Sequence, residues 1–266
     1  MGFMLLLRDG RIVLPDSDRS ALWILVVAAA AIAGVFLLDP IPQDPAYHAF
    51  ADTRKMAGVA NAWNVLSNLP FLVAGAFGFL TLPRLASPLL RTHYLVFCAG
   101  ITLVAAGSAY YHFEPSIRAL VWDRLPMTVA FMALLSAVVA DRFSWLIGRA
   151  LLGPLIALGV ASIAWWLRTE LAGAGDLRLY GAVQFLPMLL IPMMLVLRNG
   201  QWIRARWLWA ALGAYAAAKL AEHFDAAIFS GLGWISGHGL KHLLAALSCW
   251  WVILALQKGT KGDAPL

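Results

Sequence analysis

The chain has 266 residues, of which 62% are hydrophobic and 13% charged, with a mean hydropathy of +0.77 and a net charge of +6. Globular proteins carry about 25% charged residues, so a water-soluble domain of this composition could not cover its apolar surface. The positive charge does not indicate nucleic acid as a partner. The basic residues are scattered through short loops, and no basic stripe or aromatic-basic reading motif is present.

In chain order, Met1 to Arg19 is short, mixed and charged, and no cleavable signal peptide is expected there. Eight apolar blocks follow, at 21–38, 62–82, 93–111, 126–140, 144–167, 179–197, 207–229 and 237–256. Most approach the ~20 residues that cross ~30 Å of hydrocarbon as a helix. The fourth is short. It is expected either to run past Asp141 or to begin before Pro126, which then sits in the first turn. Cys98 and Cys249 lie in apolar blocks with no CxxC pair, so they read as buried thiols. No internal repeat stands out. The expectation is an all-α polytopic membrane bundle forming one domain over 1–266, with an extra helix at about 21–38 ahead of a core at about 62–256.

Placing the N-terminus inside puts twelve cations on inner segments (Arg8, Arg11, Arg19, Arg84, Arg91, Arg142, Arg149, Arg198, Arg204, Arg206, Lys258 and Lys261). Six fall on outer loops: Arg54, Lys55, Arg118, Arg124, Arg168 and Arg178. That bias predicts both termini inside. Tryptophans near block ends, such as Trp63, Trp145 and Trp234, fit interfacial belts.

Ionisable residues in a membrane span are costly and mark function. The third block ends Gly107-Ser108-Ala109-Tyr110-Tyr111-His112. Ser108 and His112 are four apart and share a helix face. Asp123 follows eleven residues later, and the last block opens Ser236-Gly237-His238-Gly239-Leu240-Lys241-His242. His238 and His242 are also four apart, so two imidazoles can grip one ion. The topology puts all three histidines and Asp123 at the outer side. Zinc suits imidazole ligands, and three protein ligands with an open position is the catalytic arrangement. Asp123 could then orient water or take its proton, and Ser108 could donate to the metal-bound water or to a carbonyl oxygen as charge develops there. The alternative is a structural metal, closed by Asp123 as fourth ligand.

Ser108-xxx-His112, Asp123 and His238-xxx-His242 resemble the alkaline ceramidases, part of a superfamily that includes progestin/adipoQ receptors and lipid-remodelling proteins. Asn64-Val65-Leu66-Ser67-Asn68 is similar to the family's Asn-x-x-Ser-Asn, and Trp122-Asp123-Arg124-Leu125-Pro126-Met127 adds to the likeness. The resemblance implies a seven-helix core, zinc ligands His112, His238 and His242, and catalytic Ser108 and Asp123. The implied reaction is hydrolysis of a ceramide-like amide to a long-chain base and a fatty acid. The helix at 21–38 is additional to that core. Where the family has a Glu three residues before Asn64, this chain has Asn61, and the family's acidic calcium-binding segment is absent. Calcium is therefore not expected.

Further candidates lie around this set. His48 and Asp52, four apart, are expected on one helix face, to line the site or hold a second cation. Asn64, Ser67 and Asn68 are expected to make interhelical hydrogen bonds. Glu222, His223 and Asp225 are placed in the seventh block. Asp225 or Glu222 could fix a ligand imidazole or pair with Lys219 or Lys241. The partner is a membrane lipid, and a bacterial inner membrane fits the short loops. The rival readings are a receptor or transporter with a structural metal, and a hydrolase of another lipid.

Overall fold

The computed structural model describes residues 6–8, 11–13 and 16–258. A short antiparallel hairpin, β1 (Leu6–Arg8) with β2 (Arg11–Val13), precedes the helices and pairs Leu7 with Ile12. The helices are α1 (Asp16–Leu37), α2 (Ala62–Leu66), α3 (Leu69–Leu80), α4 (Arg91–Phe113), α5 (Ile117–Arg142), α6 (Trp145–Leu171), α7 (Arg178–Leu197), α8 (Ala205–His223), α9 (Asp225–Leu232) and α10 (Gly237–Leu256). Lys261, counted above among the inner cations, lies outside the described residues.

Seven helical segments among the described residues are long and apolar enough to cross a membrane: α1, α2 with α3, α4, α5, α6, α7 and α10. The fold is an all-α polytopic bundle. The eighth expected crossing, α8, falls short of that composition because it carries Arg206, Lys219 and Glu222. It nevertheless runs antiparallel along α10. At one end the Arg204 backbone N–H donates to the Ala255 carbonyl at 3.0 Å, and at the other Lys241 reaches Glu222 at 2.9 Å.

α5 lies at the centre, with 72% of its apolar window buried, and packs against α4, α6 and α7. α1 leans on α7 from outside with only 11% of its window buried. Its remaining apolar surface, including Trp23, Leu25 and Leu37, is exposed and suits lipid rather than water.

Three boundaries depart from the block pattern, and each departure shapes the site. The second block breaks at Ser67 and Asn68. Pro70 in the first turn of α3 has no N–H for the Leu66 carbonyl and would crowd it, which favours the break there.

α5 starts at Ile117, capped by the Ser116 hydroxyl accepting from the Ala119 N–H at 3.1 Å, and this leaves Pro126 inside the helix rather than in its first turn. Pro126 cannot donate to the Trp122 carbonyl. That carbonyl instead faces Gly107 of α4, where a side chain would collide with it, so α4 and α5 meet closely beside Asp123.

The block at 207–229 ends as a helix at His223. The chain turns at Phe224, and Asp225 begins α9 instead of continuing α8.

The opposite end of the bundle is tied by Asp141. Its Oδ1 accepts the backbone N–H groups of Gln201, Trp202 and Ile203 at 3.0, 2.6 and 3.1 Å. Arg142 donates to the carbonyls of Arg198 and Ile203. The backbone of the α7–α8 loop is thereby satisfied where it turns inward at Ile203.

Candidate metal centre

His112 sits in the last turn of α4, and His238 and His242 in the first two turns of α10. All three are buried. The start of α10 is held by two acceptors for N–H groups that no helical carbonyl can reach. The Ser236 hydroxyl accepts from Gly239 at 3.1 Å, and Asp225 Oδ1 accepts from the His238 backbone at 2.7 Å. Gly237 is required there, because a Cβ would strike the Ala221 carbonyl and the backbone of Asp225.

The imidazoles converge through Nε2. His112 Nε2 lies 3.2 Å from His242 Nε2 and 3.3 Å from His238 Nε2. Tetrahedral zinc with Zn–N bonds of 2.0–2.1 Å requires nitrogens about 3.3–3.4 Å apart, so His112 already stands at about that spacing from both partners, and all three donors lie within 4.8 Å of one another. Among the described residues, the group placed to hold a metal consists of these three histidines. No carboxylate joins it as a fourth protein ligand, which favours an open position over a closed structural site.

Ser67 turns His242 the right way round. Its hydroxyl lies 2.7 Å from His242 Nδ1 and 3.2 Å from the Asn64 carbonyl, to which it donates. The hydroxyl then accepts from Nδ1–H, and the Nε2 lone pair faces the other imidazoles. The break between α2 and α3 is what points Ser67 toward α10.

Asp123 and Ser108 flank the imidazoles from α5 and α4, hydrogen-bonded to each other. Both are buried. With His242 they line one end of a cavity of about 260 Å³. The cavity continues between the helices past Val104, Ile101 and Phe97 on α4 and past Ala245, Cys249 and Val252 on α10. From Ser108 to Phe97 that is roughly 16 Å along the helix axis.

The surrounding polar residues distribute differently from the sequence expectation. No helix spans His48 to Asp52: His48 ends a 3-10 turn, Pro45–His48, and Asp52 lies in the loop beyond it. His48 Nδ1 faces the Tyr111 hydroxyl at 2.9 Å, and burial, then the charge of Arg124, holds its pKa below the usual imidazole value. Asp52 is occupied by Arg54, with contacts of 2.8 and 2.6 Å that keep its carboxyl below the usual range. The two side chains therefore do not assemble a second cation site. Asn61 donates to the His112 carbonyl at 2.9 Å. Asn64 donates to the Asp52 carbonyl at 3.0 Å, and Asn68 to the Asn64 carbonyl at 2.7 Å, so neither bonds another helix as expected. Asp225 holds the backbone of His238 rather than an imidazole, and its Oδ2 accepts from Ala51 at 3.0 Å.

The sequence assigns Phe50 no role and Lys241 only a pairing with Glu222 or Asp225, of which the Glu222 pairing forms. Phe50 packs edge-on against the His112 ring and tilted against the His238 ring, at 4.8 and 4.9 Å between centroids. No spacing or charge pattern marked it. Lys241 lies 3.1 Å from His238 Nε2 and 2.9 Å from Glu222 Oε1. A metal bound by that nitrogen would displace the lysine contact, and Glu222 would still hold the ammonium. A lysine one residue before a metal-ligand candidate in an apolar helix was the available signal.

The comparison with known proteins agrees with this arrangement. Residues 54–171 match the model of the Ceramidase family. That stretch holds Asn64, Ser67, Asn68, Ser108, His112 and Asp123, while His238 and His242 lie beyond it. No curated protein matches the chain. Over that segment the chain is similar to the ceramidase family, and α10 folds its two histidines onto the matched part.

Proposed function

We propose that the protein is a zinc-dependent membrane hydrolase that cleaves a ceramide-like lipid amide into a long-chain base and a fatty acid. The observation that carries this reading is the convergence of three histidine Nε2 atoms beside Asp123 and Ser108, at the head of an apolar cavity. The family match over residues 54–171 supports an amide as the bond to be cleaved.

His112, His238 and His242 would hold the ion. Bound zinc supplies Lewis acidity, which makes water a nucleophile near neutral pH and polarises the amide carbonyl. The protein's own groups do the rest. The apolar cavity takes one hydrocarbon chain and sets the amide at the end lined by His242. Asp123 accepts a proton from the attacking water and returns it to the departing amine nitrogen. Ser108 donates to the carbonyl oxygen as negative charge grows on it. Phe50 excludes bulk water from the imidazoles, which strengthens each of these contacts.

With both termini inside, the site lies at the outer leaflet, and substrate enters sideways from the bilayer. A multi-pass protein of a bacterial inner membrane fits this reading. The test is a panel of ceramides differing in base and acyl length, incubated with purified protein with and without a zinc chelator. Mass spectrometry should show a free base and a fatty acid, abolished by chelator and restored by zinc. Absence of product from every lipid amide would refute the reading.

A further inference from the structure

Arg124 follows Asp123 on α5 and lies at the same end of that cavity. It is only 5% exposed. Its Nη2 donates to Gln43 Oε1 at 2.6 Å. Three aromatic rings hold the guanidinium: Trp166 at 4.5 Å, Tyr180 at 4.7 Å and Tyr47 at 5.3 Å. Its Nη1 is buried with no hydrogen-bond partner, and no carboxylate forms an ion pair with it among the described residues. Aromatic faces offset only part of the desolvation of a buried cation, and a donor left unmade is costly.

A second cationic pole lines the cavity on α8 and α10. Lys219 and Lys241 both bond Glu222, so two ammonium groups share one carboxylate. The Tyr47 hydroxyl reaches Glu222 Oε1 at 3.5 Å while its ring lies under Arg124, which joins the two poles. The lining thus has three cations, Arg124, Lys219 and Lys241, against two carboxylates, Asp123 and Glu222. An uncharged headgroup leaves that imbalance standing.

We infer that this end of the cavity is an anion subsite, and that the substrate is a lipid amide whose amine-side headgroup bears a carboxylate or phosphate, bound by the free edge of Arg124 with Lys219 and Lys241 opposite. The inference rests on the lipid-amide reading of the adjoining site. The free Nη1 is the donor that a carboxylate or phosphate oxygen would take, and three aromatic rings around the guanidinium restrict its movement. The apolar part of the cavity runs the other way and takes the acyl chain.

Two matched pairs test this in the zinc-loaded protein: N-palmitoylglycine against N-palmitoylethanolamine, and ceramide 1-phosphate against ceramide. The charged member of at least one pair should have kcat/KM tenfold or more above its neutral counterpart, and the responding pair identifies carboxylate or phosphate. Arg124→Gln should bring that ratio toward one, chiefly through KM, and Arg124→Lys should keep part of it. Equal rates within both pairs would overturn the inference, as would a preference that survives Arg124→Gln. Binding of the same four lipids is read separately, by tryptophan fluorescence in the Asp123→Asn protein, where Arg124 is intact. Tighter binding of a charged member supports the subsite even where no amide is cleaved, and equal binding overturns it. Failure of all hydrolysis would instead count against the lipid-amide reading, so the two failures are distinct. If Arg124→Gln does not fold, the wild-type ratios and their several-fold reduction in Lys219→Met decide.

Discussion

Ser67 Oγ lies 2.7 Å from His242 Nδ1, joining the break between α2 and α3 to the second turn of α10. The contact selects the imidazole tautomer whose Nε2 lone pair points at His112. Loss of such a partner typically costs 10–100-fold in metal affinity. Ser67→Ala should therefore fold and bind zinc, but more weakly by about that factor, measured by competition with a chromogenic chelator. Unchanged affinity would mean that packing alone orients His242.

The imidazole spacing is what makes these three histidines the proposed ligand set. Wild-type protein should contain about one zinc per chain, the count expected for a single three-histidine site. His238→Ala and His242→Ala should each lose the metal and the hydrolytic activity together. Normal zinc content in either variant, read by atomic emission, would remove that residue from the set.

In the proposed mechanism Asp123 moves protons rather than holding the ion. Asp123→Asn should keep wild-type zinc content and lose turnover by roughly 10²–10⁴-fold, the usual contribution of a positioned general base. The pair of measurements matters: loss of zinc would make Asp123 a ligand, and unchanged turnover would exclude it from the chemistry.

Asp225 ties two distant segments through backbone groups, accepting from His238 at one oxygen and Ala51 at the other. Asp225→Ala should destabilise the protein by about 2 kcal/mol, the scale of a lost helix cap plus a charge-assisted hydrogen bond. Asp225→Asn, which keeps one acceptor oxygen, should lie between. Thermal unfolding in detergent reports the order, and equal Tm values for all three proteins would contradict it.

The loop between α6 and α7 carries a pH-dependent clamp. Asp176 accepts from Arg178 Nε and Nη2, both at 2.9 Å, and from Trp165 at 3.2 Å, and these bonds pull its pKa down to about 2. The folded state therefore binds this proton more weakly than the unfolded state. The stabilisation is fully present above the ordinary carboxylate range and disappears as the pH falls toward 2. The Tm difference between wild type and Asp176→Asn should be constant from pH 5 to 7 and shrink below pH 4. A difference that grows on acidification would reverse the sign of the coupling.

Much of this protein was legible before any coordinates, for a definite reason. Crossing a bilayer demands long apolar helices with every backbone group satisfied internally, so composition and block length alone imply a polytopic bundle. The three histidines stood out because polar residues in such helices are rare, and two of them repeat at helical spacing on α10. Tertiary structure decided what local periodicity does not encode. Pro70 and Pro126 act through the carbonyls they leave without donors, one favouring the helix break at Ser67 and the other letting Gly107 approach Trp122. The pairing of His48 and Asp52 failed because no helix covers that stretch, and each side chain found a closer partner. Lys241, Glu222, Phe50 and Arg124 come from four separate segments, and their approach to the histidines follows only from how α5, α8 and α10 pack. Burial turns such residues into a site, and burial is a property of the assembled bundle.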